Sequence, residues 1–365
     1  MNRFKALYIH TPFCRRKCLY CDFYSESKVL NEKDLKKLVL SELSLLNPNL
    51  SQFPTVYFGG GTPSLLTPDF FEAILSKVGQ FSEVTVEFNP EDVTSEKLKA
   101  LKEIGVNRIS LGIQSLSSKV LRKLGRTQSP EDNLKALESV LSVFSNVSVD
   151  LIYGAPGQKA DEILEEVDKI TEYPIKHLSL YALTVYEETP LSQLVKEKKL
   201  ELPHEEEVRK SYYEAVEILK EKGFTHYEIS NFAVKGFESK HNLIYWKLEN
   251  YLGLGPSAAS FKGGLFWRNY SNYSKYKESL ERGKLPIEER EEFKGKELIE
   301  LKITMGLRLT EGIERKLIPE RALESERVRR LIEEGYLEVS EGRVRLGKKG
   351  LFISNAVIGE LLSAL

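Results

Sequence analysis

Cys14, Cys18 and Cys21 are the three cysteines of the chain and fall within eight residues at C-x3-C-x2-C spacing. An odd number of thiols this close together cannot build a disulfide framework, because one is left over and the loops are too small. They read as ligands. A short loop of this kind can wrap one face of an iron–sulfur cubane, and such clusters ordinarily take four thiolates. The sequence has no fourth cysteine, so one iron is left open to a small molecule that brings its own amine and carboxylate. Two rival readings use the same residues. A zinc site would join the three thiolates to His10 or another histidine, and a thioredoxin-like redox pair at Cys18 and Cys21 would leave Cys14 without a role.

A second motif, Phe58-Gly59-Gly60-Gly61-Thr62-Pro63-Ser64, follows an apolar run. Glycines let a backbone approach a ligand closely and present its N–H and C=O groups. The plainer reading is a tight strand-to-helix turn. A nucleoside triphosphate loop is disfavoured, since no Gly-Lys-Ser/Thr follows. Glu87, Gln114 and Asp150 lie inside or at the ends of other apolar runs, where carboxylates and amides are costly to bury without partners. Taken singly, each is as readily a satisfied core residue. Together, at the carboxyl ends of parallel strands, they would point toward one shared site.

The elements that must position these groups follow from periodicity. Runs 6–10, 55–58, 84–88, 108–113, 147–153 and 177–185 predict strands, and segments 31–46, 68–78, 95–104 and 130–143 carry helical spacing. Six strand and helix units in succession give an α/β fold with a partial parallel (β/α)6 barrel, two units short of a complete barrel. The cysteine loop then follows strand one and the glycine loop strand two. Residues 1–190 form this core. Residues 191–290, with a charged helix at 205–222, a strand at 226–232 and a Gly-, Tyr- and Trp-rich stretch, are expected to close one side of the barrel. Residues 291–365 suggest helices and a hairpin around Glu341-Gly342, a winged-helix-like module. Its arginines are interleaved with Glu324, Glu326, Glu333 and Glu334, which favours packing or protein contact over nucleic acid. Across the chain 53 basic residues balance 54 acidic ones, so nothing global draws it to nucleic acid or an anionic membrane. No apolar run nears the roughly 18 residues of a spanning helix, and the amino terminus lacks a signal-peptide core. We expect no transmembrane segment and a cytoplasmic location.

The cysteine triad after strand one and the GGGTP loop after strand two resemble the radical S-adenosylmethionine (SAM) signature. Over nearly the whole chain, including Glu228-Ile229-Ser230-Asn231-Phe232-Ala233, the motif order is similar to the branch that holds oxygen-independent coproporphyrinogen III dehydrogenase and the HemW-like haem chaperones. The resemblance implies a [4Fe-4S] cluster on the three cysteines, with SAM contacted by Tyr8, Gly60, Gly61, Thr62, Glu87, Gln114, Arg126 and Asp150. Arg126, in the loop after Leu124-Gly125, would by default be solvated.

Two departures from the dehydrogenase pattern point to the HemW-like group. Phe23 stands where the dehydrogenase has a further cysteine, and only thirteen residues precede Cys14. That group also shows His-Asn-x-x-Tyr-Trp, here His241 to Trp246. The resemblance thus implies a protein that binds haem and passes it to an acceptor haem protein, with a reductant protein for the cluster. The alternative is radical decarboxylation of coproporphyrinogen III propionates. If the segment is helical, His241 and Tyr245 share a face beside Trp246, where a porphyrin could stack with its iron on the imidazole. The competing reading makes His241 a hydrogen-bonded part of a packed segment.

Overall fold

The computed structural model describes residues 3–27, 31–47, 53–79 and 81–365. Six parallel strands form its centre: β1 (Ala6–Thr11), β2 (Thr55–Gly60), β3 (Glu83–Phe88), β4 (Arg108–Gln114), β5 (Val147–Tyr153) and β6 (His177–Ala182). Helices α1 (Glu32–Leu46), α2 (Pro68–Leu75), α3 (Ser95–Glu103), α4 (Ser118–Lys123), α5 (Pro130–Leu141) and α6 (Ala160–Thr171) connect them. Side chains alternate across a strand, and here the two faces differ in chemistry. Val84, Val86, Ile109, Leu111, Val149 and Leu178 are sealed in the main apolar core, which the helices cover. The opposite face carries Tyr8, Tyr57 and Thr85 in register with Arg108, then Glu87 beside Ser110 and Asp150 beside Ser179. A parallel sheet buried on both faces would be apolar on both, so the polar face must border solvent or a ligand. The sheet is rolled toward that face. Tyr57 and Tyr181 lie four strands apart, about 19 Å in a flat sheet, yet Tyr57 feels the Tyr181 charge.

Beyond residue 190 the chain does not close the barrel from one side. After α7 (Pro190–Lys196) and α8 (Glu205–Glu221), β7 (Thr225–Glu228) and β8 (Asn231–Ala233) extend the β6 edge, with β8 antiparallel to β6. The single strand expected over 226–232 is therefore a hairpin. Its turn at Ile229-Ser230 is held by the Glu228 carboxylate, which accepts from the Ser230 N–H at 3.3 Å and from the Asn231 side chain. Then α9 (Lys240–Trp246) leads to β9 (Tyr251–Leu254), parallel to β1, and to β10 (Ala259–Lys262) and β11 (Leu265–Asn269). Helix α10 (Tyr273–Glu281) and β12 (Ile287–Glu292) follow. The result is an open twelve-stranded sheet with β12 and β7 at its edges.

The remainder is a helix and hairpin unit: α11 (Gly295–Gly306), β13 (Ile313–Glu314), α12 (Glu320–Leu323), α13 (Glu326–Glu333), β14 (Leu337–Val339), β15 (Arg343–Leu346), α14 (Lys348–Phe352) and α15 (Ser354–Leu362). Its three strands pair in the order β13-β15-β14 over a separate core that includes Ile303, Leu307, Val328 and Leu361. Arg327, Arg330 and Arg345 pair with Glu360, Glu326 and Glu338. Among the described residues no helix is long and apolar enough to cross a membrane.

Candidate functional site

The cysteine loop leaves β1 and is held from three directions. Cys14 N–H donates to Glu26 O at 3.2 Å, Leu19 N–H to Leu124 O beyond α4 at 3.1 Å, and Leu19 O accepts from Leu191 N–H of α7 at 2.9 Å. A turn closed by Cys21 N–H to Cys18 O at 3.3 Å brings the last two thiols to one side. All three thiols are free and partly exposed. Burial raises the Cys18 and Cys21 pKa values, while the Arg126 guanidinium opposes this at Cys18 and Lys17 opposes it at Cys21. The Thr62 hydroxyl donates to Cys14 Sγ at 3.3 Å. Three soft thiols with a guanidinium and a hydroxyl turned on them suit an iron–sulfur cluster. The zinc reading with His10 fails on geometry. His10 Nδ1 is bonded to Tyr8 Oη at 3.1 Å and Nε2 to Tyr24 O at 2.9 Å, so neither nitrogen is free. Among the described residues no three His, Cys, Asp or Glu are gathered for a single ion.

The glycine loop grips the cysteine loop. Gly61 N–H donates to Thr11 O at 2.6 Å, and a Cβ on Gly61 would lie 2.5 Å from the Phe13 carbonyl oxygen. Gly60 has φ +105°, and its Cβ would meet the His10 ring at 2.6 Å. These glycines therefore serve a close approach of two backbone segments. Two residues that the sequence reading missed complete the junction. Asn89 donates to Thr62 Oγ1 at 3.4 Å and accepts from Arg126 at 2.8 Å. Asp92 accepts from Arg15 Nε at 3.0 Å, from its terminal nitrogen at 2.8 Å, and from Ser64 Oγ at 2.7 Å. An Asn-Pro pair closing an apolar run was the available signal for Asn89; Asp92 had none.

Arg126 is buried, not solvated. It also donates to Gly112 O at 2.9 Å and lines a cleft of about 80 Å³ with Cys18, Asn89 and Gly125. Gln114 follows an irregularity in the β4–β5 pairing and has φ +67°, a strained value for a non-glycine residue. Gly112 makes room for it: a Cβ there would lie 2.8 Å from Gln114 Nε2 and 3.2 Å from the Arg126 guanidinium. Deeper on the polar face, Glu87 accepts from Tyr57 Oη at 2.8 Å. Burial pushes its carboxyl up to about 7, with the Asp150 charge adding to the rise. Asp150 accepts from Ser110 Oγ at 3.2 Å, and burial raises its pKa too. Burial and the Glu87 charge hold the Tyr8 phenol well above its ordinary value. A bound cation would relieve this crowding of carboxyls.

His241 lies apart from that junction. Its segment is helical as expected, and Nε2 meets Tyr245 Oη at 2.7 Å, but Nδ1 meets Thr55 Oγ1 at 2.8 Å and the residue is 1% exposed. Glu83 accepts the His241 N–H at 3.0 Å, and Arg308 lies over the Trp246 ring at 5.4 Å. The imidazole is thus a buried tie between α9 and β2, and this conformation offers no open nitrogen to a haem iron. The packed reading of the two is the one the geometry fits.

Residues 8–170 match the model of the radical SAM superfamily. The chain is 33% identical to "Heme chaperone HemW" of Bacillus subtilis (strain 168) across 99% of this chain and 100% of that one. It is 38% identical to the mouse mitochondrial "Radical S-adenosyl methionine domain-containing protein 1" across 69% of this chain and 60% of that one. Among solved structures it resembles the Escherichia coli radical SAM enzyme coproporphyrinogen III oxidase (HemN), with a TM-score of 0.82 at 19% identity, covering 100% of this chain and 91% of the other. That likeness establishes the shared fold. The cysteine loop, the glycine loop clamped against it and the end-to-end similarity agree: the chain belongs to the HemW family of the radical SAM superfamily.

Proposed function

We propose that this protein is a haem chaperone of the cytoplasm. It holds a [4Fe-4S] cluster on Cys14, Cys18 and Cys21, binds SAM along Tyr8, Gly60, Gly61, Thr62, Glu87, Gln114, Arg126 and Asp150, and passes haem to an acceptor haem protein. A reductant protein serves the cluster. The observation that carries the reading is the similarity to a protein named heme chaperone over the full length of both chains. Phe23 supports it. The residue is 68% exposed beside the cysteine loop, where the dehydrogenase pattern has another thiol.

When bound, the cluster supplies an electron and SAM a sulfonium able to accept it. The chain's own groups position both. The Thr62 hydroxyl and the Arg126 guanidinium sit against Cys14 and Cys18, while Glu87 and Asp150 give the polar face the negative charge that suits a cationic ligand. The test is anaerobic incubation of the reconstituted protein with SAM, haem, coproporphyrinogen III and a reductant, followed by product analysis. We expect bound haem and unchanged coproporphyrinogen. Robust formation of protoporphyrinogen IX would make the protein a decarboxylating enzyme instead.

A further inference from the structure

The polar face of the rolled sheet contains a cation outside the set of cluster and SAM residues. Arg108 opens β4 with its side chain on that face, opposite Thr85 in the register. It is 2% exposed, and among the described residues its side chain has no hydrogen bond and no ion pair. Its Nε is sealed from solvent without a partner, and so is the Thr85 hydroxyl beside it. The terminal nitrogens are not sealed. Two neighbouring donors left open in a protein interior are a costly arrangement unless something accepts from them.

The acceptors nearby each have another partner. His177 is bonded to Ser148 at 2.7 Å and to Tyr227 at 2.8 Å, and His241 to Thr55 and Tyr245. Glu87 accepts from Tyr57 and Asp150 from Ser110. Tyr57, Glu87, Asp150, His177, Tyr227 and His241 nonetheless all feel the Arg108 charge, which puts the guanidinium in the middle of the hollow. That hollow communicates with solvent. Tyr181 on its wall is 41% exposed, and Tyr8, Tyr57, Glu87 and Asp150 each keep part of their surface accessible.

We propose that the terminal nitrogens of Arg108 receive a carboxylate of the ligand carried in this hollow. A guanidinium offers paired N–H groups matched to the two oxygens of a carboxylate, and the low surrounding dielectric strengthens that contact. Haem carries two propionate carboxylates, so this assignment rests on the haem reading above and names the part of haem that the chain recognises.

The test is anaerobic titration of the reconstituted protein with haem and with haem dimethyl ester, comparing the parent with Arg108→Gln and Arg108→Lys. Iron content and thermal midpoint are followed in each. Loss of a charge-assisted pair corresponds to roughly ten- to a hundred-fold in affinity. We expect Arg108→Gln to weaken haem binding by that factor and to leave the weaker binding of the ester unchanged. Arg108→Lys keeps the buried charge but not the fork, and should fall between the two. It carries the comparison should the glutamine variant fail to fold. Parental haem affinity in a folded variant, or equal loss for haem and ester, overturns the assignment and leaves the haem reading standing. A parent that binds no haem overturns that reading and this assignment with it.

Discussion

Replacing Asp92 by alanine removes one buried carboxylate that two ligand loops share. Arg15, between the first two cysteines, and Ser64, after the glycines, both donate to it. The Arg15 side chain is 62% exposed, so its ion pair contributes only about 0–1 kcal/mol. Ser64 is 0% exposed, and its hydroxyl, left without an acceptor, costs about 1–3 kcal/mol. We take the sum as about 2 kcal/mol of loop anchoring. If iron escapes through local opening of the cysteine loop, that loss makes the open form roughly thirty-fold more populated. The assay is anaerobic iron release from the reconstituted protein to a chelator. Asp92→Ala should release iron tens of times faster than the parent, and Asp92→Asn, which can still accept from Ser64, less so. Adding Ser64→Ala to Asp92→Ala removes the orphaned hydroxyl and should recover part of the loss, a coupling between two touching residues. Parental release rates in a folded Asp92→Ala variant would refute the claim that this carboxylate ties the loops together.

Three other outcomes follow from the geometry. Anaerobic reconstitution should give about four irons per chain, and Cys14→Ala, Cys18→Ala or Cys21→Ala should each abolish stable assembly because the chain has no spare thiol; stoichiometric zinc in colourless protein would contradict this. Gly61→Ala should displace the Phe13 carbonyl, 2.5 Å from the new Cβ, and lower iron content with little change in secondary structure by circular dichroism, whereas parental iron content would show that the loops can part without cost. His241→Ala should cost about 2–4 kcal/mol by orphaning Thr55 and Tyr245 and leaving a cavity, seen as a lower midpoint in denaturant. Burial holds the His241 pKa down at about 3, so below about 6.5 the unfolded imidazole takes up a proton that the folded one refuses. The parent therefore loses up to about 1.4 kcal/mol per pH unit from this group on acidification from about 6.5 toward 3. The variant should show a shallower loss, and identical pH slopes in the two proteins would place His241 in solvent.

Much of the core was legible because it rests on local pattern. The alternation in Val84-Thr85-Val86-Glu87-Phe88 separates an outer apolar row from an inner polar one, and the cysteine and glycine spacings are local too. What escaped depends on distant pairings. Asn89 and Asp92 matter only because β1, β2 and β3 end side by side, which brings Thr62, Ser64, Arg15 and Arg126 to them. Arg126 looked solvated because the Gly112 carbonyl and Asn89 that bury it lie 14 and 37 residues away. His241 meets Thr55 across 186 residues, so helical spacing alone left its packing undecided. The edge additions were misjudged for a related reason. Residues 226–232 read as one strand with no sign of the hairpin, 251–269 read only as a Gly-, Tyr- and Trp-rich stretch, and β9 beside β1 while β8 joins β6 is a tertiary choice.

Haem movement is the property that decides the function. Loading the cluster-containing protein with one equivalent of haem, mixing it anaerobically with an apo-haem protein and following the Soret band of each separated component measures it directly. Haem is expected to leave this chain and appear on the acceptor. Haem that never binds, or that remains on this chain while the acceptor stays empty, would contradict it.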